Sequence, residues 1–243
     1  MPIVLAFSPD GNFEETDDMP LCVIQWMNDT KEMVDAVRSG EIEPLASPIR
    51  PLLETEWNQD GAFNDQVPLS CGNDEAPAGC VAIAIAQVMY HHNYPDEFDW
   101  NAMDLTVGTT ESARLIVDIG QKIGMNYDCA GSGAKTKDIP NLLKTNYNYS
   151  SATYSSNINL TTMQSNISGG KPVILSGFSD TVGHAWVCDG YISTNMCTYT
   201  TIRFHMNWGW GGSNDGWFIL ENLNPKGGKG YYKDKAMVYN INK

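Results

Sequence analysis

The hydrophobic pattern of this chain changes period once, and that change limits the folds open to it. Residues 81–90 form an apolar, alanine-rich run with high helix propensity, entered through Gly79-Cys80. Residues 112–123 carry a second helical period with Ser112 as the expected cap, and 139–146 a third that opens on Pro140. Beyond residue 170 the spacing becomes that of strands, at 172–177, 184–191, 198–208, 217–220 and 236–241, separated by Gly and Asn turns. Helices first and antiparallel strands second define an α+β arrangement. A parallel doubly wound sheet is excluded.

Composition narrows the class further. With 243 residues the chain is one large domain or two small ones, and 42% hydrophobic residues with 10% aromatics exclude intrinsic disorder. No apolar run approaches the roughly 20 residues of a membrane span. Fifteen Lys+Arg against 29 Asp+Glu give a net charge of −14, which argues against a nucleic-acid partner. That charge is lopsided: residues 1–45 hold ten acidic residues against Lys31 and Arg38, a net −8. There, 2–7 reads as a strand, 9–11 as a turn and about 19–38 as an amphipathic helix. Three prolines within 39–51 mark a linker. The expected organisation is an acidic appendage over 1–45 and a main domain over 46–243. Met1-Pro2-Ile3-Val4 lacks the basic and apolar regions of a signal peptide.

The six cysteines (22, 71, 80, 129, 188 and 197) form no C-x-x-C pair, which excludes zinc ribbons and thioredoxin-type motifs. Cys80 stands apart because it opens an apolar helix. A helix N-terminus carries about half a positive charge and favours a thiolate. The small residues Ala78, Gly79, Ala82 and Ala84 leave room for a substrate backbone. A thiolate nucleophile needs a base, and there are four histidines. His91 and His92 end the same helix, about 16 Å from Cys80 at 1.5 Å per residue. His205 lies inside a strand pattern and reads as structural. His184 follows Gly183 at the start of a strand, where its ring can face a helix, and is the expected base. Asn207-Trp208-Gly209-Trp210-Gly211-Gly212 supplies the third part: an amide accepts from an imidazole N–H while an indole shields that bond from water. Cys, then His, then Asn-Trp is the chain order of a thiol protease.

Five ordered blocks resemble the streptopain (C10) family of bacterial cysteine peptidases. They are Asp60-Gly61-Ala62-Phe63-Asn64, the run from Gly79-Cys80 to Val88-Met89, His92-Asn93-Tyr94-Pro95, the run from Gly183-His184 to Asp189-Gly190, and Asn207 to Gly212. The resemblance extends from about Pro51 to the C-terminus. It implies a papain-like two-lobed fold, with the nucleophile helix in one lobe and a twisted antiparallel sheet in the other. It also implies a secreted zymogen in which residues 1–45 are the end of a propeptide acting as an intramolecular inhibitor, with cleavage in the proline-rich linker. By the same resemblance Cys80 is the nucleophile, His184 the base, and Asn207 or Trp208 the group that orients His184. Ser132, Gly133 and Gly183 match positions lining the substrate cleft. Protein or peptide substrates are expected, with no metal and no organic cofactor. In one position the chain departs from the papain-like pattern, with Asp74 where those enzymes often carry a glutamine oxyanion donor six residues before the cysteine. An ionised carboxylate cannot donate. The Cys80 N–H, or another side chain, is left to serve the oxyanion. A thiol acyltransferase and a catalytically impaired, inhibitory or binding relative remain open on the same residues.

Overall fold

The computed structural model describes residues 27, 31, 49–195, 200–225 and 230–243. The chain groups into two units, Met1–Ser47 with Thr194–Thr201 and Pro48–Ser193 with Ile202–Lys243. Met27 and Lys31 are helical, inside the expected 19–38 helix, while the expected strand at 2–7 and turn at 9–11 lie outside the described residues.

Four α-helices are described: α1 (Cys80–His92), α2 (Thr110–Ile123), α3 (Ile139–Asn146) and α4 (Leu160–Ser168). Helix α1 is buried from Val81 to Met89, so it runs through the core instead of over the surface. Its alanines make that possible by letting neighbouring backbones approach, and its one fully buried polar residue, Gln87, is hydrogen-bonded. The left-handed Asn93 ends it. Helix α2 begins two residues earlier than its pattern suggested. Thr109 is the cap and Ser112 the reciprocal partner at the third position, so the expected cap lies one turn inside the helix. Helix α3 opens on Pro140 as expected.

The strands are β1 (Ser151–Ser155), β2 (Val173–Phe178), β3 (Gly183–Asn195), β4 (Thr200–Asn207), β5 (Gly216–Phe218) and β6 (Lys233–Asn242). They form one sheet in the order β1-β6-β2-β3-β4-β5. The pairings of β1 with β6, β6 with β2, β2 with β3 and β4 with β5 are antiparallel. Successive side chains on a strand point to opposite faces. Ile174, Ala185, Val187 and Val238 accordingly join the core built on α1, α2 and α3, while Val173, Leu175, Trp186 and Cys188 join a second core with Phe204, Met206, Trp208 and α4. Each large side chain buried in either core contributes roughly 1.5–3 kcal/mol. The result is the expected α+β, papain-like arrangement: a helical lobe, a sheet lobe, and α1 against the sheet.

Two features fell below the sequence signal. Strand β1 is a short edge segment of Ser, Ala, Thr and Tyr. Helix α4 is mostly polar, turning only Met163, Asn166 and Ile167 inward, with Asn159 capping the Thr162 N–H. Among the described residues no helix is long and apolar enough to cross a membrane.

Candidate active site

Two hairpin-like turns come together just before α1. In the first, Ser70 bridges Glu75 and Cys71 N–H bonds the Asp74 carbonyl. In the second, Asn126 and Gly133 exchange both backbone hydrogen bonds, and Asp128 N–H donates to Ser132 Oγ at 3.3 Å. A Cys71–Cys129 disulfide, spanning 58 positions, joins the two tips. Between the turns lies Gly79, at φ +92°, where a Cβ would stand 2.8 Å from Met125 Sδ and 3.2 Å from the Ser132 carbonyl. Glycine is required there on both counts. The second turn therefore lies hard against the residue that introduces Cys80.

Cys80 begins α1, where Gly79 offers no side-chain cap and the first-turn N–H groups stay available. The backbone N–H groups of Ala185 on β3, of Val81 and of Cys80 itself favour the thiolate form of its sulfur. Burial pushes the thiol up, and these N–H donors offset part of that. Ala185 and its neighbour His184, at the start of β3, line the same groove as Cys80.

His184 is 7% exposed and pairs in register with Gly177 of β2. Its Nε2 lies 2.9 Å from the Trp208 carbonyl. A carbonyl only accepts, so Nε2 carries the proton and Nδ1 keeps a lone pair. Trp210, Tyr231, Trp186 and Trp208 surround the ring at centroid distances of 4.8, 5.4, 6.0 and 6.2 Å. This aromatic enclosure uses three of the chain's seven tryptophans. It removes water and lowers the imidazole pKa to about 4, against a smaller raising effect of the Trp208 carbonyl. Both shifts favour the uncharged forms of the two groups.

Of the two candidates for orienting His184, Trp208 makes the contact, and through its main chain instead of its indole. Asn207 lies one step behind. Its Nδ2 donates to the Thr55 carbonyl at 2.7 Å, and its Oδ1 accepts from Gln87 Nε2 at 3.1 Å and Gly209 N–H at 3.0 Å. Thr55 Oγ1 in turn donates to Gln87 Oε1 at 2.9 Å, closing a buried ring of hydrogen bonds between α1, the end of β4 and the segment leading into the domain. Asp215 Oδ1 accepts from Trp208 N–H at 2.7 Å, so the Trp208 backbone is held on both sides.

Cys80, His184, Ser132, Gly133 and Gly183 line one groove of about 830 Å³, together with Gln59, Trp210 and Tyr231. Ser132 is buried and its hydroxyl also holds the turn. At Gly183 a Cβ would meet the Phe178 ring at 2.6 Å, so the missing side chain is what admits that ring to the groove wall. Asp74 is exposed and outside the groove, with its carboxylate on the Glu75 N–H. Gln59 lines the groove instead, and its carbonyl accepts from Ala78 N–H at 2.8 Å. Sequence reading missed Gln59 because it lies 21 positions before Cys80 and only folding brings it alongside.

The other histidines are committed elsewhere. His205 Nδ1 is 2.7 Å from Asp189 Oδ1, His91 Nε2 is 3.0 Å from the Gly170 carbonyl, and His92 Nδ1 is 3.2 Å from the Tyr149 hydroxyl. No group of three or more metal-ligand side chains occurs among the described residues.

A helix-borne thiol facing a strand-borne imidazole across a groove defines a papain-like cysteine peptidase site. The model of the peptidase C10 family matches residues 57–106 and 96–218, and the chain belongs to that family. It is 26% identical over 305 residues to the thiol protease/hemagglutinin PrtT of Porphyromonas gingivalis, covering 99% of this chain and 34% of PrtT. It is also 26% identical over 284 residues to streptopain of Streptococcus pyogenes, covering 92% of this chain and 70% of streptopain. The chain thus spans about a third of PrtT and over two thirds of streptopain. Active interpain A, a cysteine protease of Prevotella intermedia, superposes with a TM-score of 0.69 at 26% identity, covering 79% of this chain and 94% of that one. A fragment of Prevotella intermedia prointerpain A gives 0.65 at 24% identity over 96% of this chain and 87% of the fragment, a likeness of fold.

Proposed function

We propose that this chain is a secreted bacterial cysteine endopeptidase made as a zymogen. Cys80 Sγ attacks a peptide carbonyl carbon while its proton passes to His184 Nδ1. The tetrahedral oxyanion is held by the Cys80 N–H at the helix start and by the Gln59 amide. His184 then gives the proton to the leaving amine, and the acyl-enzyme forms as the C–N bond breaks. Water, deprotonated by His184, hydrolyses the thioester and restores Cys80. The Trp208 carbonyl holds the imidazole, neutral or charged, in one orientation throughout. Asn207 positions that carbonyl, and Ser132, Gly133 and Gly183 accept the substrate backbone.

The observation that carries this reading is that Cys80, at the start of α1, and His184, on β3, line the same groove. The zymogen part, with residues 1–45 as a propeptide remnant ahead of a 46–243 catalytic domain, draws support from coverage. Active interpain A covers 79% of the chain, whereas the prointerpain fragment covers 96%. Secretion draws support from the Cys71–Cys129 disulfide, a bond that persists in oxidising compartments. Mass spectrometry of the full chain in mild reductant tests the peptidase and zymogen parts. Self-cleavage between residues 39 and 51, lost in Cys80→Ala, is the expected result. An uncut chain whose Cys80 also resists an irreversible thiol-protease inhibitor would overturn the reading.

A further inference from the structure

Among the described residues, the groove that holds Cys80 and His184 is charged in one sense only. Among its described lining residues Lys135 and Lys137 carry a charge at neutral pH, and no described Asp or Glu lines it. In a chain with 29 acidic residues against 15 basic ones, that is the reverse of the overall balance. The two lysines flank Thr136, whose hydroxyl is 3.0 Å from Ser176 Oγ on β2, so the wall that bears them is tied to the sheet. On its other side the wall continues into the turn stapled by Cys129. Both lysines are exposed, and neither ammonium group has a hydrogen bond or ion pair with a described residue. The acidic side chains close by in the chain do not enter the groove. Asp128 accepts from the Ala130 N–H, Asp138 precedes α3, and Asp180 is held by Lys233 and Tyr232. Tyr154, Phe178 and Val182 form an exposed apolar part of the same lining.

Like charges unpaired within a concave wall attract the opposite charge, and low-dielectric surroundings focus that field along the groove. We infer that the cleft prefers acidic peptides, with Lys135 and Lys137 receiving an Asp or Glu carboxylate of the substrate within a few residues of the scissile bond. The inference rests on the peptidase reading above. Tyr154, Phe178 and Val182 then pack against the apolar part of the same substrate segment. Exposed pairs of this kind are individually weak and screened by salt, so the selection is a preference and is strongest at low ionic strength.

The test is a set of otherwise neutral fluorogenic peptides in which Glu or Gln is placed in turn at each of three positions on either side of the cleaved bond. They are assayed with the processed full-chain protein after active-site titration. At one or more positions Glu should raise kcat/KM about three- to ten-fold over Gln at low salt, and 0.5 M NaCl should erode the difference. The double variant Lys135→Gln/Lys137→Gln should turn over the Glu and Gln peptides alike, whereas Lys135→Arg/Lys137→Arg should keep the preference. Cleavage with Glu no better than Gln at every position, or a preference that survives in the double Gln variant, overturns the inference and leaves the peptidase reading intact. No cleavage of any peptide removes both.

Discussion

At the residue scale, His184 is neutral because its neighbours exclude water without supplying a counter-charge. Four aromatic rings surround it, and its one hydrogen-bond partner among the described residues is a neutral carbonyl. With the imidazole pKa near 4, the base is unprotonated across the whole neutral range. The acid limb of kcat/KM should therefore rise with an apparent pKa near 4, far below the 6.5 of a free imidazole. Trp210→Ala, which opens the closest of the four rings, should move that limb upward. A wild-type limb at 6 or above would contradict the enclosure. Behind the base, Asn207→Ala would strand the Gln87 amide and the Thr55 carbonyl in the interior. A loss of about 2–4 kcal/mol in denaturant unfolding is expected, with kcat reduced as the Trp208 carbonyl loosens. A variant as stable as the wild type would show that water replaces the amide.

The element that shapes the groove is the pair of turns stapled by Cys71 and Cys129. Neither turn has regular structure of its own, yet one feeds directly into Cys80 and the other carries Ser132 and Gly133. A loop closed over a separation of 58 residues stabilises the fold by about 4 kcal/mol on chain-entropy grounds. Cys71→Ser/Cys129→Ser should lose about 2–4 kcal/mol of that in equilibrium unfolding. Because the staple acts on the wall and leaves the nucleophile in place, KM should rise more than kcat falls, while alkylation of Cys80 by a small reagent keeps its rate. Equal losses in alkylation and turnover would mean that the staple instead sets the helix terminus.

At the scale of the whole molecule, acid sensitivity follows from burial. His184 and His92 are both held near pKa 4 by desolvation, below their ordinary 6.5. Between those values the unfolded chain takes up protons that the folded one refuses, so stability is lost as pH falls from about 6.5 toward 4. Asp215, raised to about 6 by burial, works in the opposite sense, since the folded form protonates first. Two groups outweigh one. The midpoint of thermal unfolding of Cys80→Ala, which cannot digest itself, should be lower at pH 4.5 than at pH 7, and His92→Gln should shrink the gap. A midpoint independent of pH would refute the sign.

Much of this was legible from the chain alone, because it depends on residue type and local period. Helix α1, the switch from helices to strands, Cys80 at a helix mouth and His184 at a strand start are all local statements. Helix α4 and strand β1 escaped notice since their few inward residues sit among polar ones and gain their shape only by packing on the sheet. What the tertiary structure decided has a different character. The acceptor for His184 is a main-chain carbonyl, which every residue possesses and no sequence marks. Gln59, the Cys71–Cys129 pairing and the positive wall of the groove join groups far apart in the chain. The pKa values depend on how much water the assembled core excludes. Sequence determined which chemistry the chain carries, through side chains fixed in identity. Folding decided which of them meet, since contact and desolvation are properties of the packed whole.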